Sequence, residues 1–226
     1  MEISTGETMS DFEQARQNMV DCQLRTNKIT DPSVIEAFGT VPREAFVADR
    51  LKSVAYSDED LPIAGGRCLM EPMVLARMVQ ELAISANDVV LDIGCGTGYS
   101  AAILSHLAAT VVALESDATL AQQATAALAE IAADNAVVVE GALVEGYPGQ
   151  GPYNVIFIEG AVADIPGELT DQLAEGGRLA AVIDPGTGPG HAVLVLKRAG
   201  VLSKRVLFDA NILPLPEFER PAGFVF

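Results

Sequence analysis

The stretch VVLDIGCGTGYSAAIL, residues 89–104, decides how the chain reads. Val89 to Ile93 is a short, mostly apolar and β-branched run of the kind buried in a sheet, and the residues from Tyr99 onward have helical character. Between them Gly94, Gly96 and Gly98 alternate with Cys95 and Thr97. Glycines at such a corner let the backbone turn sharply and come close to a ligand at the helix N-terminus. The loop alone is a weak signal, because any tight strand-turn-helix corner favours glycine. It gains weight from Glu115, which ends the next apolar run, VVALES, 17 residues beyond Gly98. An acid at that place can accept both hydroxyls of a ribose. The plain alternatives are a solvated strand end for Glu115 and a turn or helix cap for Asp92.

Outward from this corner the pattern is regular. DVVLDIG, ATVVALE, AVVVEG, YNVIFIEG and GRLAAVID read as strands, and SAAILSHLAA, TLAQQATAALAEIAAD and PGELTDQLAEG fill the intervals. Strands that are nearly continuous in apolar residues and alternate with helices belong to a parallel sheet covered on both faces. HAVLVLKRAGVLSKRVLFDA holds two strands about Gly200, with a connection too short for a helical crossover, so it predicts an antiparallel hairpin at the sheet edge. The expected fold is α/β: a Rossmann-like, doubly wound, mostly parallel seven-stranded sheet with an antiparallel edge strand and an N-terminal helical cap. Residues 1–80 form the cap and a substrate-facing loop, and 81–226 the cofactor-binding domain, in one globule. In the cap, helical spacing runs from Asp11 to Leu24. Thr30 or Asp31 caps a helix opened by Pro32, VPREAFV begins a short helix, and EPMVLARMVQEL is a helix with Pro72 near its start. Residues 1–9 are expected to fray. The apolar end of NILPLPEFERPAGFVF is expected to pack on its own domain or on a neighbouring subunit, as in a homodimer.

Composition narrows the function. The chain of 226 residues carries 14 Lys and Arg against 31 Asp and Glu, a formal charge of −17. A surface this acidic repels phosphate backbones and anionic lipid, so neither nucleic acid nor membrane is an expected partner. Cys22, Cys68 and Cys95 are too scattered for a metal site, and none is expected. The N-terminus has no basic segment followed by an apolar one, and no apolar run is long enough to span a bilayer. These features predict a cytoplasmic protein.

Two cofactors compete for the glycine loop. NAD sites use G-x-G-x-x-G, whereas this chain has G-x-G-x-G preceded by Asp92. That arrangement resembles motif I of the class I S-adenosylmethionine-dependent methyltransferases. AYSDEDLPIAGGRCLMEPMVLARM upstream, YNVIFIEGAVADIPGELTDQLAEGGRL downstream and the early VPREAFV together resemble the protein-L-isoaspartate O-methyltransferase family over most of residues 16–210. The resemblance implies methylation of the carboxylate of L-isoaspartyl residues in damaged proteins, with S-adenosyl-L-methionine converted to S-adenosyl-L-homocysteine and no metal. It also implies a cofactor site of Asp92, Gly94, Cys95, Gly96, Gly98, Tyr99, Glu115, Ser116, Gly141, Ala142 and Glu159. Tyr56, Asp58, Arg67, Leu69 and Met70 would face the substrate.

Three site positions depart from the family pattern. Its serine in G-x-x-I-S-x-P falls on Met70. Its Thr-Ala-Ala after the fourth strand is Glu159-Gly160-Ala161, and its adenine-contacting Asp in Gly-Asp-Gly is Ala142. Losing the serine need not end the chemistry, because a carboxylate nucleophile is already ionised at neutral pH. Glu159 is harder to accommodate beside an anionic acceptor. Arg67 is its candidate partner, or else binds a substrate carboxylate, so Met70, Glu159 and Arg67 are the candidate catalytic residues. Glu159 as a general base would imply a different acceptor, such as a small molecule or another peptide. A non-catalytic cofactor-binding protein is the other alternative. The plain readings are a solvent-facing cap for Glu159, an exposed loop charge for Arg67 and packing for Met70.

Overall fold

The structure, a computed structural model, describes residues 10–218. The expectations for the first nine residues and for the apolar terminus at Phe224–Phe226 lie outside them. The cap opens with α1 (Asp11–Met19), where the Ser10 side chain accepts the Glu13 N–H and the Glu13 carboxylate returns to the Ser10 N–H. The helix then widens into a π-turn over Val20–Leu24, so the predicted span holds while its winding changes. Helix α2 (Pro32–Thr40) starts on Asp31, which accepts the N–H groups of Ser33 and Val34. VPREAFV supplies a 3₁₀ turn, Arg43–Phe46. Two short antiparallel strands, β1 (Leu61–Pro62) and β2 (Cys68–Leu69), bracket the glycine loop at 63–67. Helix α3 (Pro72–Leu82) buries Leu75, Met78, Val79 and Leu82, a helical stripe facing the core.

The core alternates β3 (Val89–Ile93), α4 (Tyr99–Ser105), β4 (Thr110–Glu115), α5 (Ala118–Glu130), β5 (Ala136–Glu140), β6 (Tyr153–Val162), α6 (Gly167–Asp171) and β7 (Leu173–Ile183). The hairpin β8 (His191–Arg198) and β9 (Val201–Asp209) completes a seven-stranded sheet in the order β5-β4-β3-β6-β7-β8-β9. The first five are parallel; β8 runs against both of its neighbours, and β9 forms the edge. The near-continuous apolar strands serve two cores: Val90, Val111, Val155 and Phe157 face the cap, and Leu91, Val112, Ile156 and Ile158 the opposite layer.

One segment departs from its sequence reading. PGELTDQLAEG is expected to fill the interval before the strand GRLAAVID, but α6 ends at Asp171 and Leu173 already pairs with Tyr153 in the sheet. The Tyr153 N–H donates to Gln172 O at 2.8 Å, and this strand contact overrides the helical spacing.

Arg178 on β7 ties the end of α3 to the sheet. It donates to the carbonyls of Leu82 (2.6 Å) and Ala83 (2.8 Å) and to Asp88 Oδ2 (2.6 Å). Arg178→Ala strands these acceptors, and urea unfolding is expected to show a loss of about 2–3 kcal/mol.

Because the chain winds outward in opposite directions from β3 and β6, a crevice opens at their C-terminal ends, where ligands bind in open α/β sheets. Asp92, the glycine loop and Glu159 all stand at that crevice.

Candidate functional site

The glycine loop is held from both sides. The Gly94 and Cys95 N–H groups donate to Leu114 O at 2.8 and 3.3 Å, fixing the loop to β4. The Thr97 hydroxyl donates to Phe46 O at 2.7 Å, fixing it to the cap. Gly94 has φ +80°, and a Cβ there would lie 2.7 Å from Arg67 Nη2 and 3.2 Å from a Leu215 methyl, so both conformation and space demand glycine. Cys95 is fully buried, and burial holds its thiol well above the usual range. Tyr99 packs edge-on against Phe38 and Phe46 beneath the Arg43 guanidinium, which makes it a core aromatic under the loop.

Glu115 is the anchor of the crevice. It is fully buried, which rules out a solvated strand end. Its carboxylate accepts the N–H groups of Gly96 (2.8 Å), Ser116 (2.9 Å) and Asp117 (3.1 Å). Arg67 adds a fork, Nη1 to Oε1 at 3.0 Å and Nη2 to Oε2 at 3.2 Å, and also reaches Gly94 O at 2.7 Å. The pairing expected between Arg67 and Glu159 is therefore not the one formed. The β1–β2 loop lays Arg67 across the end of β4, where a planar fork meets a carboxylate, and Arg67 is buried rather than an exposed loop charge.

Glu159 joins a different group. The Ser100 hydroxyl lies 2.6 Å from Asp92 Oδ2 and in short hydrogen-bond contact with Glu159 Oε2. All three residues are buried, so neither carboxyl is a solvent-facing cap. Asp92 Oδ1 and Glu159 Oε1 have no hydrogen-bond partner among the described residues. Burial pushes the Asp92 carboxyl up to about 7, and burial with the Asp92 charge holds Glu159 well above the carboxylate range. Unfolded, Asp92 releases its proton near pH 4; folded, it keeps it to about 7. Between those values the folded state binds more protons, so unfolding free energy falls as pH rises, and Glu159 carries the fall higher. Asp92→Asn is expected to make that decline shallower in denaturant titrations across the same window.

The residues expected to face the substrate separate into two groups. Leu69 and Met70 are buried in the core between cap and sheet, so Met70 acts by packing. Tyr56 does not offer its hydroxyl to a substrate: it donates to Glu44 and accepts from Arg16 Nε at 2.9 Å, inside the cap. Asp58 accepts the Met73 N–H at 3.1 Å and Asp60 the Glu71 N–H at 2.9 Å, so both satisfy the start of α3. Arg43, quoted only as part of VPREAFV, proves central. It is fully buried and donates to Ala55 O (2.7 Å) and Met70 O (2.9 Å), which fixes the loop carrying Met70.

Beside Glu115 lies a cavity of about 320 Å³ lined by Gly65, Arg67, Ser116, Asp117, Pro216 and Glu217. Gly141 N–H donates to Glu115 O at 3.1 Å, while Ala142 offers no side-chain acceptor. Glu217 enters instead from beyond β9, and its carboxylate accepts the Leu143 N–H at 2.9 Å. Leu215 covers Gly94 and Gly160. Ser100, Leu215 and Glu217 gave no signal in spacing, since each acts through residues distant in sequence. The residues present fit the expected cofactor: the buried acceptors of Asp92 and Glu159 that have no partners suit a ligand bearing a sulfonium and an ammonium group, and Asp117 and Glu217 line the cavity beside Glu115. Among the described residues no cluster suited to a metal ion is present, and no helix is long and apolar enough to cross a membrane.

The profile of the protein-L-isoaspartate(D-aspartate) O-methyltransferase family matches residues 14–219. The chain belongs to this family. A relative named protein-L-isoaspartate O-methyltransferase from Koribacter versatilis is 41% identical over 208 residues, covering 92% of this chain and 93% of its own. One of the same name from Methanoculleus marisnigri is 41% identical over 200 residues, 88% and 90% of the two chains. A solved protein-L-isoaspartate O-methyltransferase superposes with TM-score 0.79 at 25% identity, over 88% of this chain and 65% of that one. A Plasmodium falciparum structure under the same family name, in complex with S-adenosyl-L-homocysteine, shares the fold with TM-score 0.77 at 18% identity, over 92% and 100%.

Proposed function

We propose that this chain is an S-adenosylmethionine-dependent O-methyltransferase acting on the carboxylate of L-isoaspartyl residues in proteins or peptides. The observation that carries this reading is the meeting, in one crevice, of the Gly94–Gly98 loop, Glu115 and the 67–70 loop, in a chain aligned with its named relatives over nearly its whole length. When bound, S-adenosylmethionine supplies a methyl group on a sulfonium. Transfer to a carboxylate forms an O–CH3 bond and leaves the electron pair of the broken S–CH3 bond on sulfur.

In this reading the Gly94–Gly98 backbone and the acceptor atoms of Asp92 and Glu159 hold the amino-acid end of the cofactor, with Cys95 and Tyr99 supporting the loop. Glu115 and Ser116 hold the ribose, with Arg67 yielding part of its fork to it. Gly141, Ala142 and Glu217 border the adenine. The acceptor approaches beside Arg67, while Leu69 and Met70 pack beneath the loop that Arg43 keeps in place. The chain's contribution is alignment and exclusion of water rather than proton removal. A general-base role for Glu159 fits less well, because burial and the Asp92 charge oppose the ionised form that a base needs. A cytoplasmic location agrees with three free cysteines among the described residues.

The test is the lability of the product. Label transferred from methyl-labelled S-adenosylmethionine to an isoaspartyl peptide is expected to leave as methanol on brief treatment with base, as a methyl ester must. Base-stable label would contradict transfer to a carboxylate.

A further inference from the structure

We infer that Asp92, Ser100 and Glu159 form a proton-storing cluster whose proton lets a carboxylate acceptor enter an acid-lined crevice, so that Glu159 in its neutral form sets the charge the acceptor must carry. The inference rests on the carboxylate acceptor proposed above.

Ser100 Oγ touches Asp92 Oδ2 at 2.6 Å and Glu159 Oε2 in a second short contact. A hydroxyl carries one hydrogen and can donate to one of these oxygens. The other contact needs a hydrogen from a carboxyl, so the arrangement holds one proton beyond the fully ionised state. No solvent competes for it, since all three residues are buried.

Among the described residues no cation forms an ion pair with Glu159. The charged and titratable groups around Glu159 are Asp92, Arg67, Arg43, Tyr99, Cys95 and Cys68. Arg67 is engaged by Glu115 and Gly94 O, and Arg43 holds the carbonyls of Ala55 and Met70 through Nε and Nη2, its buried Nη1 having no partner among the described residues. Burial opposes ionisation of Tyr99, Cys95 and Cys68, leaving them neutral. Burial and the Asp92 charge outweigh the pull of the two arginines and oppose ionisation of Glu159, and its Oε1 has no partner among the described residues.

The neutral carboxyl resolves the conflict that the sequence raised. An ionised Glu159 would repel an acceptor carboxylate in a poorly solvated crevice. A neutral one does not repel it, and its proton stays in the contact with Ser100. The proton is held through the reaction and not transferred, since the nucleophile arrives ionised.

The experiment is the pH dependence of kcat/KM on an isoaspartyl peptide for wild type and Glu159→Gln. An infrared comparison of the same two proteins at neutral pH looks for the carbonyl band of a protonated carboxyl. Wild-type kcat/KM is expected to fall on the alkaline side, approaching about tenfold per pH unit. In Glu159→Gln that decline disappears, so the ratio of variant to wild type rises with pH, and the band present in wild type is lost. An identical alkaline decline in the variant, or no wild-type band, overturns the inference. Wild-type activity that rises with pH and is abolished in the variant overturns it too, and makes Glu159 a base. A wild-type band without transfer to the peptide at any pH refutes the carboxylate acceptor and not the stored proton.

Discussion

Glu115→Ala is expected to abolish measurable binding of S-adenosylmethionine and to lower the unfolding free energy by about 3–5 kcal/mol. Both effects come from one carboxylate. It is fully buried, accepts three backbone N–H groups, and balances the Arg67 fork. Truncation leaves a guanidinium without its counter-charge and the N–H groups of Gly96, Ser116 and Asp117 without their acceptor. The Gly94–Gly98 loop loses its link to β4 through Gly96, so the cofactor cradle loosens together with the fold. Glu115→Gln separates the two effects: it keeps the volume and part of the hydrogen bonding, so it should recover some stability while binding stays impaired. Calorimetric titration with the cofactor and urea unfolding provide the two readings. Normal cofactor affinity in the alanine variant would remove Glu115 from the site.

The second large effect is expected at Arg43. Its guanidinium has no exposed surface, donates to Ala55 O and Met70 O, and lies 4.8 Å from the centre of the Tyr99 ring. Arg43→Met fills most of the volume but leaves two buried carbonyls without donors, at about 1–3 kcal/mol each. For a chain of this length each kcal/mol lowers the melting midpoint by roughly 2–4 °C. The midpoint is therefore expected to fall by roughly 4–24 °C by the same relation. In the protein that remains folded, kcat/KM for the acceptor should fall more than cofactor affinity, because the Met70 loop is freed while the glycine loop keeps its ties to Leu114. Unchanged melting in Arg43→Met would show that another donor takes over these carbonyls.

The two residues mark the boundary of what the sequence made legible. The strand-glycine-helix corner at 89–104 and the spacing to Glu115 are local patterns, and they located the crevice. The strands and the edge hairpin followed from runs of apolar residues, which record burial on both faces of a sheet. Arg67 shows where such reading stops. Its partner lies 48 residues away on β4, and nothing local to GGRCLMEPM distinguishes Glu115 from Glu159 as the acceptor of its fork. Ser100 looks like an ordinary first-turn serine until Asp92 and Glu159 are seen on either side of it. Tyr56 and Asp58 had the right chemistry for a substrate loop, but backbone and cap partners claim their polar atoms. Strand β7 begins at Leu173, ahead of GRLAAVID, because the sheet captures residues whose own spacing carries no strand signal.

The most direct test of the account is methyl transfer from labelled S-adenosylmethionine to a peptide containing L-isoaspartate, against the matching L-aspartate peptide. The account predicts base-labile transfer to the first and none above background to the second, despite methionine at position 70 and glutamate at 159. Protein that binds the cofactor yet transfers to neither peptide, or to both equally, would contradict it.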